Sequence, residues 1–272
     1  WIAAGEIDAP GIADLYLLRG DTASRASFPA PPNADGDPYR AGPMPLVERG
    51  RLVGLAWLAG AGVRQTAVYA AQWSGLDWSQ RELVSPVGAG TQIAIDGVVL
   101  ADGSWLLVWS AYDGDDDEIL WSRRVDGRWT EPAVLHEPNE TPDITPAIVA
   151  TGRGALAAWN WFDGRTYRVR LAGFEDGAWR ELGLAAPAGS VRPDLTPHSG
   201  GAFLLYRTVD PATWTVHELD GRGTTLRTAA VGEENTLRPG LVPRDSSAPV
   251  FEWPGRQPVS PLRFEPDWQI EP

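Results

Sequence analysis

Residues 104–129 read SWLLVWSAYDGDDDEILWSRRVDGRW and contain strand-like segments separated by turns. Ser104 to Ser110 is a nearly continuous apolar run, which is typical of a strand buried on both faces. After an acidic loop, Glu118 to Arg123 predicts another strand, and Asp126-Gly127 is a strong signal for a tight hairpin. Together with the alternating segment Ile93 to Leu100 before it, this stretch predicts a sheet of four short antiparallel strands.

The same pattern recurs along the chain with a period of about 50 residues. Aromatic side chains end short apolar runs at intervals of 52, 50, 47 and 47 residues, at Trp57, Trp109, Trp159, Tyr206 and Trp253. A second series with the same period starts with Trp78, Trp129 and Trp179, and Trp268 follows two units later. Four strands per unit at this period are typical of a β-propeller blade.

We therefore predict an all-β fold, a single β-propeller domain of about six four-stranded blades over residues 1–272. The regular repeat units are residues 44–92, 93–142, 143–192, 193–238 and 239–272, and residues 1–43 form an irregular closing blade and a linker. The alternative is five blades preceded by an N-terminal tail.

The composition argues against several functional classes. The net charge of −13 disfavours nucleic acid and anionic membrane surfaces, because phosphate binding requires a basic face. All 23 basic residues are Arg and Cys is absent, which excludes lysine catalysis, disulfides and thiolate chemistry. The missing Lys indicates a GC-rich bacterial genome. The sequence contains no run of 18 apolar residues, so it predicts no membrane-spanning helix. The lack of Cys and the start at Trp1 favour a periplasmic or secreted protein.

Two short motifs resemble those of a known family. Tyr39-Arg40-Ala41-Gly42-Pro43 precedes the apolar segment 52–57, and Ser122 to Trp129 has Ser and Trp at the two ends of an eight-residue hairpin. They are similar to the first-blade motif and the Asp-box of the sialidase superfamily, a family of six-bladed propellers. Arg124 stands where the Asp-box has its Asp, so the chain resembles a diverged member. The resemblance covers residues 39–272 and supports the fold better than an activity.

The resemblance also implies an anion site. Active sialidases bind a substrate carboxylate with three Arg side chains, and the candidates here are Arg40, in the first motif, and Arg192 and Arg238, which precede the first strands of two units. The alternative is that these arginines pair with nearby carboxylates, such as those of Asp143 and Asp194, and stabilise blade junctions.

The catalytic residues of that family have no counterparts in this chain. No Tyr follows Arg238 to serve as the nucleophile, and no Asp lies between Asp37 and Asp77, where the resemblance would place the acid/base. Retaining glycoside hydrolysis lacks two necessary groups in that case. We therefore assign no catalytic residue and favour a protein without enzymatic activity.

An acidic run is the candidate metal site, and no other cofactor is expected. Its five carboxylates lie within six residues, and such closely spaced oxygen ligands suit Ca²⁺; they are Asp113, Asp115, Asp116, Asp117 and Glu118. The alternative is a solvated acidic loop without a metal.

Two functional hypotheses follow. The first is a non-catalytic extracytoplasmic propeller that binds a glycan or a protein partner, or acts as a scaffold for it. The second is a diverged sialidase-like glycoside hydrolase that acts on an acidic sugar. Four tryptophans outside the periodic series are candidates for ligand or interface contacts: Trp73, Trp105, Trp161 and Trp214.

Overall fold

The structure is a computed structural model that describes residues 2–9, 12–20, 25–33, 37–85, 90–112, 114–198, 201–232, 240–242 and 250–252. All regular secondary structure in these residues is β-strand, and none of them lies in a helix long and apolar enough to cross a membrane. The chain divides into two compact units, residues 1–146 and 147–272. A single domain over residues 1–272 stays a prediction.

The first unit consists of antiparallel sheets whose strands follow the order of the chain. Its strands are β1 (Ile2–Ala9), β2 (Ile12–Gly20), β3 (Arg25–Phe28), β4 (Tyr39–Glu48), β5 (Arg51–Gly62), β6 (Gln65–Gln72), β7 (Glu82–Leu83), β8 (Thr91–Val99), β9 (Trp105–Tyr112), β10 (Asp117–Val125), β11 (Arg128–Trp129) and β12 (Ala133–Val134). They form the sheets β1–β3, β4–β7 and β8–β12. The last sheet has a divided fourth strand, because both β11 and β12 pair with β10 and Pro132 between them has no N–H to donate.

The same organisation continues towards the C-terminus. The strands are β13 (Asp143–Thr151), β14 (Gly154–Phe162), β15 (Tyr167–Glu175), β16 (Ala178–Leu184), β17 (Ser190–His198), β18 (Gly201–Thr208), β19 (Thr213–Asp220), β20 (Thr225–Gly232), β21 (Gly240–Val242) and β22 (Val250–Glu252). They form the sheets β13–β16, β17–β20 and β21–β22. Within the described ranges, six sheets thus follow one another in the order of the six predicted blades.

The first regular sheet starts earlier in the chain than the sequence indicates. Strand β4 begins at Tyr39, so the boundary expected at residue 43 falls inside a strand. The pairing of β4 with β5 shifts register between Ala41 and Met44, which leaves Pro43 outside the hydrogen-bonded ladder. A bulge of this kind lets a strand contain proline.

Tight hairpins join the third and fourth strands where Asp-Gly pairs predict them. Asp126 and Gly127 have φ angles of 50° and 77°, and Asp176 and Gly177 have 54° and 85°. Positive φ at both central residues is the mark of the turn that matches the twist of an antiparallel pair. The hairpin predicted at Asp126-Gly127 is confirmed, and Asp176-Gly177 forms the equivalent turn one repeat later.

The periodic aromatic residues lie inside the sheets. Each stands in the second strand of its four-stranded sheet and is at most 3% exposed: Trp57 in β5, Trp109 in β9, Trp159 in β14 and Tyr206 in β18. The equivalent second-strand placement predicted from their spacing is confirmed. Because both faces of these strands are covered, the runs that contain them are apolar throughout rather than alternating.

A backbone feature repeats in the first strand of each four-stranded sheet. One residue there has a left-handed conformation: Gly42 in β4, Ala94 in β8, Thr145 in β13 and Arg192 in β17, with φ angles between 47° and 57°. The strand pairs that contain Gly42, Ala94 and Arg192 shift register at this residue, as expected at a β-bulge. A bulge is therefore part of the repeat, although only one of the four residues is Gly.

Side chains of the preceding sheet accept hydrogen bonds from the backbone N–H groups of two of these residues. The N–H of Thr145 donates to Ser110 Oγ at 3.0 Å, and the N–H of Arg192 donates to Asn160 Oδ1 at 3.0 Å. Ser110 and Asn160 directly follow the second-strand aromatic of their own sheet. The repeat thus includes a contact that joins each of these two sheets to the next one in the chain.

Candidate functional site

Three ionisable side chains converge at the end of the first unit. Glu118 lies at the start of β10, His136 follows β12, and Asp143 is the first residue of β13. The side chains of His136 and Asp143 are fully buried, and that of Glu118 is 12% exposed. Three segments of the chain therefore each bring one potential metal ligand to a buried place.

The contacts within this cluster centre on one nitrogen atom. His136 Nε2 lies 3.0 Å from Glu118 Oε2 and 3.6 Å from Asp143 Oδ2. His136 Nδ1 lies 2.9 Å from the carbonyl oxygen of Glu137, so the N–H at Nδ1 donates to the backbone. That bond fixes the ring orientation and turns Nε2 towards the two carboxylates.

A loop between the strands orients the carboxylates. Asn139 Nδ2 donates to Asp143 Oδ2 at 2.7 Å, and the N–H of Asn139 donates to Glu118 Oε1 at 3.3 Å. The amide oxygen of Asn139 accepts in turn from the N–H of Thr141 at 2.9 Å. Each side chain of the cluster thus has a hydrogen bond that sets its direction.

Electrostatics favour a positive charge at the centre of the cluster. Burial by itself lowers the pKa of His136, but the hydrogen bond with Glu118 and the negative charge of Asp143 outweigh it, so this pKa is raised. The cluster can hold a proton on Nε2 or a metal ion in place of that proton.

The acidic loop contributes one residue to this cluster. Glu118 is buried, Asp116 and Asp117 are half-buried, Asp115 is exposed, and Asp113 lies outside the described residues. In the described part of the loop, only Glu118 belongs to a convergent group of three potential ligands. Calcium binding by the loop itself stays a prediction.

Arg40, the first member of the predicted anion site, lies inside the first unit. It is 3% exposed, its Nη2 donates to the carbonyl oxygen of Pro31 at 2.8 Å, and its guanidinium stands 5.4 Å from the centre of the Trp57 ring. These contacts give Arg40 partners inside the first unit, and neither of them is a carboxylate.

The other two arginines of that site belong to other parts of the chain. Arg192 is exposed in β17 and belongs to the second unit, whereas Arg40 belongs to the first. Arg238 lies outside the described residues. An anion site shared by Arg40, Arg192 and Arg238 stays a prediction.

The four tryptophans outside the periodic series divide into two pairs. Trp105 and Trp214 are 5% and 2% exposed, so they are core residues rather than ligand contacts. The reason at Trp105 is a glycine in the neighbouring sheet: a Cβ at Gly54 would lie 2.3 Å from the indole ring. Trp73 and Trp161 are half-buried and remain candidates.

Trp161 has charged neighbours. The guanidinium of Arg170 stands 3.9 Å from the centre of the Trp161 ring and also contacts Glu181 at 3.3 Å. Trp73 packs instead against Trp78, with ring centres 5.0 Å apart. Trp161 is thus a half-buried aromatic residue with Arg170 over one face of its ring.

Sequence reasoning missed His136 and Asp143 as partners of Glu118. The seven-residue spacing of His136 and Asp143, across the junction from one repeat to the next, was the available signal. Glu118 is distant in sequence and comes close only because β10 pairs with β12, where Leu120 lies opposite Val134.

Comparisons with known proteins identify the fold. No family model matches the sequence, and no curated protein matches it. Solved structures that resemble the chain include the Trypanosoma rangeli sialidase in complex with the inhibitor DANA, at 11% identity and a TM-score of 0.57, with 93% of this chain and 50% of that chain covered. The match thus spans half of the sialidase chain.

Two further likenesses have comparable scores. One is to a chain of the nidogen/laminin complex, at 13% identity and a TM-score of 0.53, with 92% of this chain and 85% of that chain covered. The other is to a prolyl endopeptidase, at 14% identity and a TM-score of 0.52, with 93% and 36% covered. With the succession of four-stranded antiparallel sheets, these likenesses show that the chain has an all-β, propeller-type fold that is also found in a sialidase.

Proposed function

We propose that this chain is a non-catalytic propeller that binds a glycan or a protein partner in the periplasm or outside the cell. The observation that carries the proposal is the burial of Arg40. A sialidase-like site requires this guanidinium to face a substrate carboxylate, whereas here it contacts Pro31 and Trp57. Contacts of this kind are those of an Arg that stabilises the fold, and they support the non-catalytic alternative.

A glycan is the preferred ligand class, and Trp161 is its proposed contact. Sugar rings bind to aromatic side chains that have hydrogen-bonding groups beside them. Trp161 is half-buried, and Arg170 and Glu181 lie next to it. The likeness to a sialidase of known structure supports the same ligand class.

The test is an array of neutral and acidic glycans probed with the wild-type chain and with Trp161→Ala. We expect binding by the wild type and a loss of about fivefold or more in the variant, since an aromatic contact contributes about 1 kcal/mol or more. Trp73→Ala, in the other compact unit, is the matched control and should retain binding. A wild-type chain that binds no glycan contradicts this ligand class, and undiminished binding by Trp161→Ala contradicts the assigned position.

The likeness to a sialidase also favours a second candidate, a diverged glycoside hydrolase acting on an acidic sugar. The two candidates differ in turnover. Under the binding proposal, the purified chain releases no sialic acid from fluorogenic sialosides, because the nucleophile and the acid/base expected from the resemblance are missing. Turnover above the uncatalysed rate, in a preparation that stays active through a second purification step, would establish the enzyme instead.

A further inference from the structure

We propose that Glu118, His136 and Asp143 form a structural binding site for one divalent transition-metal ion, of which Zn²⁺ is the best match. The site lies within the first unit. It differs from the calcium site expected in the acidic loop, with which it shares only Glu118.

Two of the three distances between the donor atoms fit one small ion, and all three atoms lie within 4.8 Å of one another. His136 Nε2 lies 3.0 Å from Glu118 Oε2 and 3.6 Å from Asp143 Oδ2. Two ligands that are each about 2.1 Å from the same ion, at angles of about 90° to 120°, are about 3.0 to 3.6 Å apart. The side chains therefore need only small adjustments to bind the ion.

The hydrogen bonds around the cluster are those of a metal site. Nδ1–H of His136 donates to the carbonyl of Glu137, so the lone pair of Nε2 faces the cluster. The N–H of Ile119 lies 3.5 Å from Nε2, at the long limit of a hydrogen bond, and the ion would take the place of this weak contact. Asn139 contacts both carboxylates and holds them in place. Glu118 Oε2 is buried, and among the described residues the ring of His136 is the only hydrogen-bond donor that approaches it. This oxygen can therefore bind a cation without giving up a bond to the backbone.

The charge of the three groups also fits a divalent ion. With a proton on His136, two carboxylates and one imidazolium sum to −1 in a buried place, and burying uncompensated charge is costly. With a neutral imidazole and a divalent cation, the net charge of the cluster and the ion is zero.

The donor set selects the type of metal. Imidazole nitrogen suits Zn²⁺ and its neighbours in the first transition row, whereas Ca²⁺ takes six to eight oxygen ligands. This cluster offers one nitrogen and two carboxylates. The adjacent residues Asp115, Asp116 and Asp117 add negative charge that attracts any cation to this end of β10.

The burial of the ligands assigns the ion a structural role. Two of the three side chains are fully buried, which leaves little access for a substrate. The ion would join the start of β10, the segment after β12 and the start of β13. It would thereby fasten the first strand of one sheet to the end of the sheet before it.

The experiment uses the full chain, stripped with EDTA, dialysed and titrated with ZnCl₂ in a calorimeter. We expect one Zn²⁺ per chain, bound more tightly than Ca²⁺. The melting temperature should rise by about 5–10 °C when free Zn²⁺ is about 100 times Kd. Co²⁺ titration of the same protein should give visible absorption bands, which report ligation directly.

Two charge-removing variants of the same shape locate the site. Glu118→Gln and Asp143→Asn should each lower Zn²⁺ affinity about 100-fold or more, since loss of an outer hydrogen bond alone typically costs 10–100-fold. Asp115→Asn, in the exposed part of the acidic loop, is the matched control and should keep wild-type affinity. Circular dichroism verifies that each variant is folded. If one variant fails to fold, the Zn²⁺ affinity of the other variant and the Co²⁺ absorption bands show whether these residues bind the ion.

Three results would overturn the proposal. The first is a wild-type chain that binds no Zn²⁺ in a fixed ratio, which would leave a proton as the occupant of the cluster. The second is unchanged affinity in both charge-removing variants. The third is loss of binding in Asp115→Asn, which would place the cation in the acidic loop.

Discussion

Trp109 tests the assignment of the periodic aromatic residues to the interior. It is fully buried in β9, and its Nε1 donates to Gln92 Oε1 at 2.6 Å, where Gln92 is also fully buried. Trp109→Ala removes a large buried ring, which costs about 3–5 kcal/mol. Unfolding free energies of domains are about 5–15 kcal/mol, so this change removes a large fraction of the total.

The hydrogen bond can be separated from the packing. Trp109→Phe keeps most of the apolar contact but leaves Gln92 Oε1 without its indole donor, which costs about 1–3 kcal/mol. Replacing both partners by apolar groups is less costly than replacing one. We therefore expect Gln92→Leu in the Trp109→Phe background to recover part of the loss.

The assay is urea unfolding followed by far-UV circular dichroism, with the m-value fitted for each variant. Trp73→Ala is the control, because Trp73 is half-buried and its pairing with Trp78 is worth about 1 kcal/mol. If Trp109→Ala shifts the midpoint no more than Trp73→Ala does, at an unchanged m-value, the reasoning that places Trp109 in the core is wrong.

Three further changes test particular backbone and side-chain features. Thr145→Gly should raise the free energy of unfolding by about 1 kcal/mol, because a left-handed conformation costs a β-branched residue about that much; a lower urea midpoint at an unchanged m-value would refute strain at this residue. Gly154→Ala should destabilise by about 2 kcal/mol or more, since its Cβ would lie 1.9 Å from the carbonyl oxygen of Phe174, and a neutral result in the same assay would contradict that close approach. Burial lowers the pKa of His217, so its contribution to stability is fully present above the unfolded pKa of about 6.5 and is lost as the pH falls below that value and through the lower pKa of the folded state. Melting temperatures of wild type and His217→Gln between pH 8 and pH 5 should therefore converge at low pH, and parallel curves would contradict this linkage.

Much of the fold could be predicted from the sequence because its signals are local. The apolar runs ending at Trp57, Trp109 and Trp159 mark buried strands, and the Asp-Gly pairs mark the hairpins between strands. Burial of Trp105 could not be predicted in this way. It depends on Gly54 in another sheet, whose missing side chain leaves the space for the indole ring.

The buried cluster depends even more strongly on contacts between residues that are distant in sequence. Glu118, His136 and Asp143 come from three segments, and only strand pairing and the connection between two sheets bring them together. Sequence spacing identified the acidic loop, because carboxylates concentrated in one stretch are visible without a fold. It could not separate Glu118, which faces inwards, from Asp115, which faces solvent.

The left-handed residues in the first strands have a consequence for how a chain of similar repeats folds. Repeats of nearly equal length can pair with the wrong neighbour or in a shifted register, which is a common cause of misfolding in repeat proteins. At Thr145 the left-handed residue is joined to Ser110 of the preceding sheet, so a strand that slipped by even one residue would present a different N–H to that hydroxyl. The hydrogen bond from the N–H of Arg192 to Asn160 depends on the register of its strand in the same way, one repeat later. Each of these two sheets thereby carries a hydrogen bond that forms only when the next strand is added in the correct register.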